Sequence, residues 1–395
     1  MKPRTILSLI IDEGKGGASS AGHLINKELG DRGFCTKVLI RKPEPSSYSI
    51  TKLGRLLARF LSLILFPFSW RVTYRSLDIG FISKSQLHFA AAEAEIIWVH
   101  WPHDGWISLR QLKSLNKPLI WTVHDFWILH GTTHYCESKR KGVHRLLRYL
   151  EVGYLVEHLQ KRRKKRLLAS MNIKFHCTSL QSLAKVVDMY GESKAFYWPL
   201  KVDPTFYQTS ENQESIAKSK NYRILIGASP YCFWDPRKGM HEILTGLESL
   251  PTHLSVTVVV LGICEQQCAE LRHRYKLTFE SAGIVQREDM SIIYGGCDVL
   301  CVGSHEETYC MMIPESLLCG TPVISRRVGV APQIIQAGLN GLLLEQNESW
   351  TNPTVLKQII KLAQLNRQKV INISQQTISE LVMHSSCPDL YELLE

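Results

Sequence analysis

The sequence from Ser304 to Ser325, SHEETYCMMIPESLLCGTPVIS, carries two glutamates, Glu307 and Glu315, separated by seven residues. It follows the apolar run DVLCVG and ends in Gly-Thr-Pro before a second apolar run. A proline near the middle and Gly320 near the end predict a short helix between two buried strands. The stretch therefore indicates a parallel α/β sheet in which acidic side chains follow a strand end.

The start of this short helix is a candidate anion site. The first N–H groups of a helix have no partner within it, and the helix dipole favours negative charge there. The residues that we expect to offer these groups to a diphosphate are Tyr309, Cys310, Met311 and Met312. Glu315 falls in the first turn, where it can accept two ribose hydroxyls, and Glu307 would reach past the phosphates to a sugar. In isolation, the two glutamates would instead indicate a helix cap and a solvated side chain.

A second loop carries positive charge. Arg237, Lys238 and Gly239 follow the apolar run RILIGAS and precede an amphipathic segment. In open α/β sheets, ligands bind in the crevice at the carboxyl ends of the strands. We therefore expect Arg237 and Lys238 to meet the same diphosphate as the helix start.

Short β-branched runs alternate with longer amphipathic segments in both halves of the 395-residue chain. Continuous apolar strands with intervening helices are typical of parallel sheets covered on both faces. A chain of this length exceeds what one hydrophobic core usually organises. The predicted fold class is α/β, with two Rossmann-like, doubly wound domains. We place the first at 1–205 and the second at 206–375, and we expect 376–395 to form a closing helix that packs back toward the first domain.

A glycine-rich turn follows the first predicted strand and includes Gly16 and Gly17. Such a turn lets backbone N–H groups approach a phosphate at a helix start. A dinucleotide-binding fingerprint would need another glycine and an acid after the second strand, whereas Ser19 and Arg41 stand there. An NADP site or a tight turn without a ligand therefore remain as alternatives.

The positive charge is concentrated in one segment. The net charge is +11, and residues 137–166 hold eleven Lys/Arg and three Glu, which gives 11 − 3 = +8. Segment 139–166 would suit an anionic lipid surface or a lipid-diphosphate acceptor, or it forms a solvated helix face. Segment 54–75 is too short and too interrupted to span a bilayer. We expect it to lie in a lipid interface or to form a buried helix.

Three segments together resemble the GT-B glycosyltransferases of family 4. They are residues 98–136 (from WVHWPHDGW to THYC), DPRKG and EETYCMMIPESLLCGTPVIS. The resemblance covers nearly the whole chain and is closest to the colanic-acid-type branch of polysaccharide biosynthesis glycosyltransferases. It implies two Rossmann-like domains facing each other across a cleft, with the acceptor domain first and the donor domain second. It also implies retaining transfer from a nucleotide diphosphate sugar in surface polysaccharide synthesis.

The same resemblance assigns roles to individual residues. Glu315 would hold the donor ribose, Glu307 the transferred sugar, and Lys238 the diphosphate. Many relatives carry an arginine directly after the glycine of the preceding strand, and Arg237 would replace it here. The amides of Gly16 and Gly17 would approach the phosphate or the acceptor. His124, in the motif TVHD, would contact the transferred sugar.

No Asp-x-Asp motif, which many transferases use to hold a metal, occurs in the sequence. We therefore predict a metal-independent enzyme without a cofactor, in which Lys238, Arg237 and helix-start amides stabilise the leaving diphosphate. The partners would be a nucleotide-sugar donor and a glycan or lipid-linked acceptor, and no nucleic acid. Scattered cysteines favour the cytoplasm. Segments 54–75 and 139–166 would attach the protein peripherally to the inner face of the membrane. A nucleotide-sugar epimerase and a non-catalytic nucleotide-sugar binder of the same fold are the alternatives.

Overall fold

The computed structural model describes residues 4–11, 16–41, 48–66, 75–136, 152–208, 221–228, 233–345, 347–383, 385 and 389–390. The chain divides into two compact units. The first comprises Met1–Leu200 together with Ser386–Glu395, and the second comprises Lys201–Ser385. Residues 209–220 of the predicted linker lie outside the described residues.

Within its described residues, the first unit contains a six-stranded sheet in the order β2-β1-β3-β4-β5-β6, with all pairs parallel. Its strands are β1 (Thr5–Ile10), β2 (Cys35–Ile40), β3 (Ile96–His100), β4 (Leu119–Thr122), β5 (Ile173–Cys177) and β6 (Ala195–Tyr197). Its helices are α1 (Gly17–Asp31), α2 (Tyr48–Leu65), α3 (Lys84–Ala91), α4 (Leu109–Ser114), α5 (Val152–Ala169) and α6 (Leu180–Tyr190). Strands β3 and β4 are buried along their whole length, as continuous apolar runs in a covered parallel sheet should be.

The described part of the second unit contains another six-stranded parallel sheet, in the order β12-β11-β10-β7-β8-β9. Its strands are β7 (Asn221–Gly227), β8 (Ser255–Leu261), β9 (Thr278–Gly283), β10 (Val299–Val302), β11 (Val323–Arg326) and β12 (Gly341–Leu344). Its helices are α7 (Thr205–Gln208), α8 (Met240–Glu248), α9 (Glu265–Arg274), α10 (Met290–Gly295), α11 (Met312–Leu318), α12 (Ala331–Ile334), α13 (Pro353–Ala363) and α14 (Arg367–Met383). The predicted class of two doubly wound parallel sheets is confirmed.

The strand order of the second unit fixes where its ligand site can form. The order reverses between β7 and β10, which is the topological switch point of a doubly wound sheet. The loop after β7 carries Arg237 and Lys238, and the loop after β10 carries Glu307. The two loops singled out in the sequence therefore flank the same crevice.

Helix α14 begins at Arg367, within the range that the sequence assigns to the second domain. It contacts α11 and α12 of the second unit. Its buried positions are Val370, Ile371, Ser374 and Ile378. Residues 384, 386–388 and 391–395 of the predicted closing segment lie outside the described residues.

Helix α2 has one buried side and one exposed apolar side. Ala58 is buried, whereas Leu56, Phe60 and Ile64 are 57%, 58% and 57% exposed. These three residues recur every four positions and so lie along one face of the helix. The exposed apolar face differs from the fully buried helix that is one expectation for segment 54–75, whereas a position in a lipid interface stays a prediction. Residues 67–74 lie outside the described residues. Within the described ranges, no helix combines the length and apolar composition needed to cross a bilayer.

The basic segment is not uniformly a charged surface. Residues 139–151 lie outside the described residues. In helix α5, Lys161, Arg162, Lys165 and Arg166 are exposed. Lys164 is instead fully buried. Its Nζ donates to the backbone carbonyl of Trp127 at 2.5 Å and lies 3.3 Å from the centre of the Trp127 ring. Lys164 therefore departs from the solvated helix face that is one alternative for this segment, because the Trp127 ring and a backbone acceptor hold its amino group inside.

Candidate active site

The two loops at the switch point of the second unit are joined backbone to backbone. The N–H of His305 donates to the carbonyl of Arg237 at 2.8 Å. Asp235 accepts the N–H of Arg237 at 2.9 Å and thereby begins the short 3₁₀ turn Pro236–Lys238. Gly239 ends this turn with φ 63°. These contacts hold the cation-bearing loop against the loop that carries Glu307.

Glu307 pairs with both predicted cations. Its Oε1 lies 2.6 Å from Lys238 Nζ and 3.0 Å from Arg237 Nη1. Arg237 Nη1 also donates to the carbonyl of Glu306 at 2.9 Å. Burial opposes ionisation of Glu307, but the charges of Lys238 and Arg237 outweigh it and lower the pKa of the carboxyl to about 2. The loops therefore bring together one buried carboxylate and two partly buried cations.

Glu315 lies in the first turn of α11, as predicted, and is buried. The hydroxyl of Tyr294 donates to its Oε2 at 2.9 Å, and Arg287 Nη1 lies 3.0 Å from its Oε1. Burial raises the pKa of Glu315, while Arg287 and the Tyr294 hydroxyl act in the opposite direction. The ionised form of this carboxyl therefore depends on Arg287.

Arg287 and Tyr294 both contact Glu315, and no sequence motif predicts either residue. Arg287 lies in a 3₁₀ turn between β9 and α10, and Tyr294 lies within α10. The guanidinium of Arg287 also lies 5.4 Å from the ring centre of Phe206, and its Nε is 3.7 Å from Asp203 Oδ2. The contact of α10 with α11 brings these side chains to Glu315, so no short motif records them.

The residues before α11 have an unusual backbone. Cys310 adopts φ 72°, which is uncommon for a residue other than glycine and is found disproportionately at ligand sites. Met311 precedes the helix without a side-chain cap, and Met312 begins the helix. Tyr309 is buried, and its carbonyl accepts the N–H of Val330 at 2.9 Å. Burial raises the pKa of the Cys310 thiol to about 12, so this thiol is neutral.

A second network of charged side chains holds the loop that carries Glu307. Glu242, in the first turn of α8, has its Oε1 at 2.7 Å from His305 Nε2 and its Oε2 at 2.5 Å from Arg326 Nη2. Arg326 is buried and also donates to the carbonyl of Glu348 at 3.2 Å. Because His305 is two residues before Glu307, this network fixes the position of the loop that presents the carboxylate.

Replacing Gly239 with alanine is expected to lower the free energy of unfolding by about 2 kcal/mol or more. A Cβ at this position would lie 2.3 Å from the carbonyl oxygen of Gly303, and the positive φ adds strain. Urea denaturation would measure the loss. Gly338→Ala is the matched control, because Gly338 has φ 77° but a Cβ there would meet no atom within 4 Å. Equal losses in the two variants would contradict the close contact between the loops.

The remaining predicted residues belong to the first unit. Gly16 precedes α1 with φ 107°, and Gly17 begins that helix. His124 follows β4, and its Nε2 lies 3.1 Å from His100 Nδ1. Burial lowers the pKa of His124 to about 4, so the ring is neutral at pH 7. Residues 12–15 of the glycine-rich turn lie outside the described residues. Gly16 and His124 both follow carboxyl ends of strands in their own sheet.

A group of buried side chains near His124 has the composition of a metal site. The donor atoms of His103, Asp125 and His134 lie within 4.8 Å of one another. Asp125, however, already accepts hydrogen bonds from Trp101 Nε1 at 2.6 Å, His134 Nδ1 at 2.6 Å and the Trp127 N–H at 2.9 Å. This network accounts for the buried carboxylate without an ion, and it fixes the turn that follows His124.

Residues 211–376 match the profile of the family Glycosyl transferases group 1. The D-inositol 3-phosphate glycosyltransferase of Xylanimonas cellulosilytica is 28% identical to the chain over 120 residues. This match spans 28% of the chain and 28% of that relative, so the chain aligns with little more than a quarter of the relative's length.

Two solved structures are similar over nearly the whole chain. HepE from Anabaena, solved with UDP-glucose, has a TM-score of 0.57 at 18% identity and covers 96% of this chain and 99% of its own. WaaG, a glycosyltransferase involved in lipopolysaccharide biosynthesis, has a TM-score of 0.57 at 14% identity and covers 99% of this chain and 97% of its own. At such identities the likeness shows the fold. The chain therefore has the GT-B glycosyltransferase fold, and its residues 211–376 match the family Glycosyl transferases group 1.

Proposed function

We propose that the protein is a retaining, metal-independent glycosyltransferase of the family 4 type. It would move a sugar from a nucleotide diphosphate sugar to a glycan or lipid-linked acceptor in surface polysaccharide synthesis, in the cytoplasm. One observation carries the proposal: Lys238, Arg237 and Glu307 form one cluster at the switch point, beside the helix whose first turn holds Glu315. The family match of the second unit, the UDP-glucose bound to HepE and the role of WaaG in lipopolysaccharide biosynthesis support it.

Each group of the site has a task in this reaction. When the bond to the sugar breaks, negative charge develops on the leaving diphosphate, and Lys238 and Arg237 stabilise it. Glu315 accepts hydroxyl groups of the donor ribose, and Glu307 accepts those of the transferred sugar. The backbone at Tyr309, Cys310, Met311 and Met312 faces the diphosphate in this proposal.

Two regions of the first unit complete the proposal. His124 contacts the transferred sugar, and the amides of Gly16 and Gly17 approach the phosphate or the acceptor. In the proposed route, the acceptor oxygen attacks the face that the diphosphate leaves, and the departing phosphate accepts the hydroxyl proton, which retains the configuration. No carboxylate nucleophile is assigned, so a covalent glycosyl intermediate is not part of the proposal.

Donor screening tests the proposed activity. UDP-, GDP- and ADP-sugars are added to the protein, and a rise in the unfolding temperature identifies the donor. Turnover of that donor is then followed with and without acceptor, and NMR of the product reports the anomer formed. Turnover that needs no acceptor would indicate an epimerase, binding without turnover would indicate a binding protein, and an inverted product would overturn retention.

The pH dependence of donor binding follows from Glu315. Burial raises the pKa of Glu315 above the ordinary 4.5, so this carboxyl takes up a proton at a higher pH than an exposed glutamate does. Because the ionised form accepts the ribose hydroxyls, donor affinity is expected to fall as the pH is lowered from 8 through this pKa. Glu307, with a pKa of about 2, stays ionised throughout.

Arg287→Met is expected to shift this loss of affinity to higher pH, because the guanidinium favours the ionised carboxyl. Calorimetric titration with nucleoside diphosphate at several pH values would measure the shift. Arg272→Met, at an exposed arginine of α9, is the control. Coinciding profiles for the wild type and Arg287→Met would show that Arg287 does not act on Glu315.

We also propose that the first unit binds an anionic membrane surface through α2 and α5. The exposed residues Leu56, Phe60 and Ile64 would enter the lipid interface, and the exposed cations of α5 would meet the headgroups. Leu155 and Leu159 of α5 are also exposed, and the two helices are in contact. A lipid-linked acceptor would then lie at the surface to which the enzyme attaches.

Phe60→Ser is expected to lower binding to phosphatidylglycerol vesicles about tenfold, since burying a phenylalanine contributes about 1.5–3 kcal/mol. Flotation at low and high salt would measure the bound fraction. Phe89→Ser is the matched control, because Phe89 lies on α3 and is 85% exposed. Absence from the vesicles at every salt concentration would contradict attachment.

A further inference from the structure

His100 and His124 form an imidazole pair in the first unit. His100 is the last residue of β3, and His124 follows the neighbouring parallel strand β4. His100 Nδ1 lies 3.1 Å from His124 Nε2. Two neutral rings at this distance share one hydrogen bond, so one nitrogen donates and the other accepts.

The ring of His100 is held in one orientation. It is parallel to the indole of Trp98, with an interplanar angle of 4° and centres 6.1 Å apart. Helix α1 covers it at Gly22, where a Cβ would lie 3.2 Å from the Cγ atom of the ring. Burial lowers the pKa of His100 well below its ordinary value, and nearby His124, His176 and His23 act in the same direction. The ring is therefore neutral and carries one proton.

The other nitrogen of His100 decides where that proton lies. Among the described residues, His100 Nε2 is buried and has no hydrogen-bond partner. A proton on Nε2 would leave a buried N–H donor unsatisfied, and such donors are rarer in proteins than unsatisfied acceptors. The proton is better placed on Nδ1, where His100 donates it to His124 Nε2.

We propose that His100 is a positioning residue that fixes His124 in the tautomer protonated at Nδ1. The proposal rests on the proposed function, in which His124 contacts the transferred sugar. A ring in this state offers an N–H donor at Nδ1, which suits a sugar hydroxyl. Its Nε2 is occupied by His100 and does not act as a general base. His124 therefore orients the sugar and takes no proton from the acceptor.

NMR of the full chain labelled with ¹⁵N-histidine tests the tautomer without any donor. Two-bond ¹H–¹⁵N spectra at pH 7 are expected to show His124 protonated at Nδ1, with the signal assigned by its loss in His124→Asn. His100→Asn should keep this tautomer, since the asparagine amide can replace the Nδ1 donor. His100→Leu should remove the preference. A wild-type His124 protonated at Nε2 would overturn the proposal, whatever the activity of the protein.

Kinetics on the identified donor give a second test. His100→Leu is expected to lower kcat/KM about tenfold, the value of one neutral hydrogen bond, while His100→Asn stays near the wild type. His176→Gln is the matched control, because His176 is buried in the adjacent strand β5 and bonds to Thr122 and Trp198. Equal losses in His100→Asn and His100→Leu, or no loss in either, would overturn the positioning role.

Discussion

Replacing Glu315 with glutamine is expected to weaken donor binding by on the order of 100-fold, because hydrogen bonds to a charged group contribute about 1.5–3 kcal/mol each. Glutamine keeps the size of the side chain but offers one acceptor oxygen in place of two. The Tyr294 hydroxyl already uses one carboxylate oxygen, and Arg287 lies at the other. The variant would thus lose acceptor capacity for the ribose and the ion pair between Glu315 and Arg287.

Thermal shift and calorimetric titration with the best nucleotide sugar would measure this effect. Glu288→Gln is the matched control, since Glu288 is exposed and directly follows Arg287 in the same 3₁₀ turn. The unfolding temperature without donor shows whether the variant is folded. A donor affinity equal to that of the wild type would show that Glu315 does not bind the donor.

Replacing Lys238 with methionine is expected to lower kcat by about 10²–10³-fold, the usual loss when one preorganised group that stabilises developing charge is removed. Lys238 Nζ lies 2.6 Å from Glu307 Oε1, and its charge is the largest influence that keeps the Glu307 carboxyl ionised in its buried position. Without the lysine, the leaving diphosphate loses a cation, and the pKa of Glu307 rises from about 2 toward its ordinary value.

Steady-state kinetics of Lys238→Met and Lys238→Arg would separate charge from geometry. Lys238→Arg should recover part of kcat, because it restores the charge with a different shape. Lys357→Met, at an exposed lysine of α13, is the control. Addition of a chelator should leave wild-type turnover unchanged. Strict dependence on a divalent cation, or full activity of Lys238→Met, would contradict the proposed stabilisation of the leaving group.

The parts of the site that follow local rules could be predicted from the sequence. Glu315 is in the first turn of a helix that has Pro314 near its start and Gly320 just after its end, and Arg237 and Lys238 follow a buried strand. Strands that alternate with helices predict the two doubly wound sheets. In each case the sequence pattern that predicts the element spans about ten residues, the range over which backbone preferences and hydrophobic patterning act.

The parts that depend on tertiary packing could not be predicted. Arg287 and Tyr294 reach Glu315 from another helix and its preceding turn, at a distance of 21 residues or more in the sequence. Lys164 lies in a run of charges that indicates a solvated face, yet Trp127 buries its ammonium group. Helix α14 begins earlier than the predicted closing helix, and a polar residue, Ser374, interrupts its buried stripe. The Ser374 hydroxyl is satisfied by the carbonyl of Val370 at 2.7 Å.

The contact between Gly239 and Gly303 restricts how the donor pocket can be varied. A side chain at either position would meet backbone atoms of the other loop at 2.3 Å or 2.9 Å, so both positions are closed to every larger amino acid. Mutant libraries that seek a changed sugar preference should therefore keep these two glycines and randomise partly buried residues at the start of α11, such as Met311 and Met312. Natural diversification of the pocket would be subject to the same steric rule.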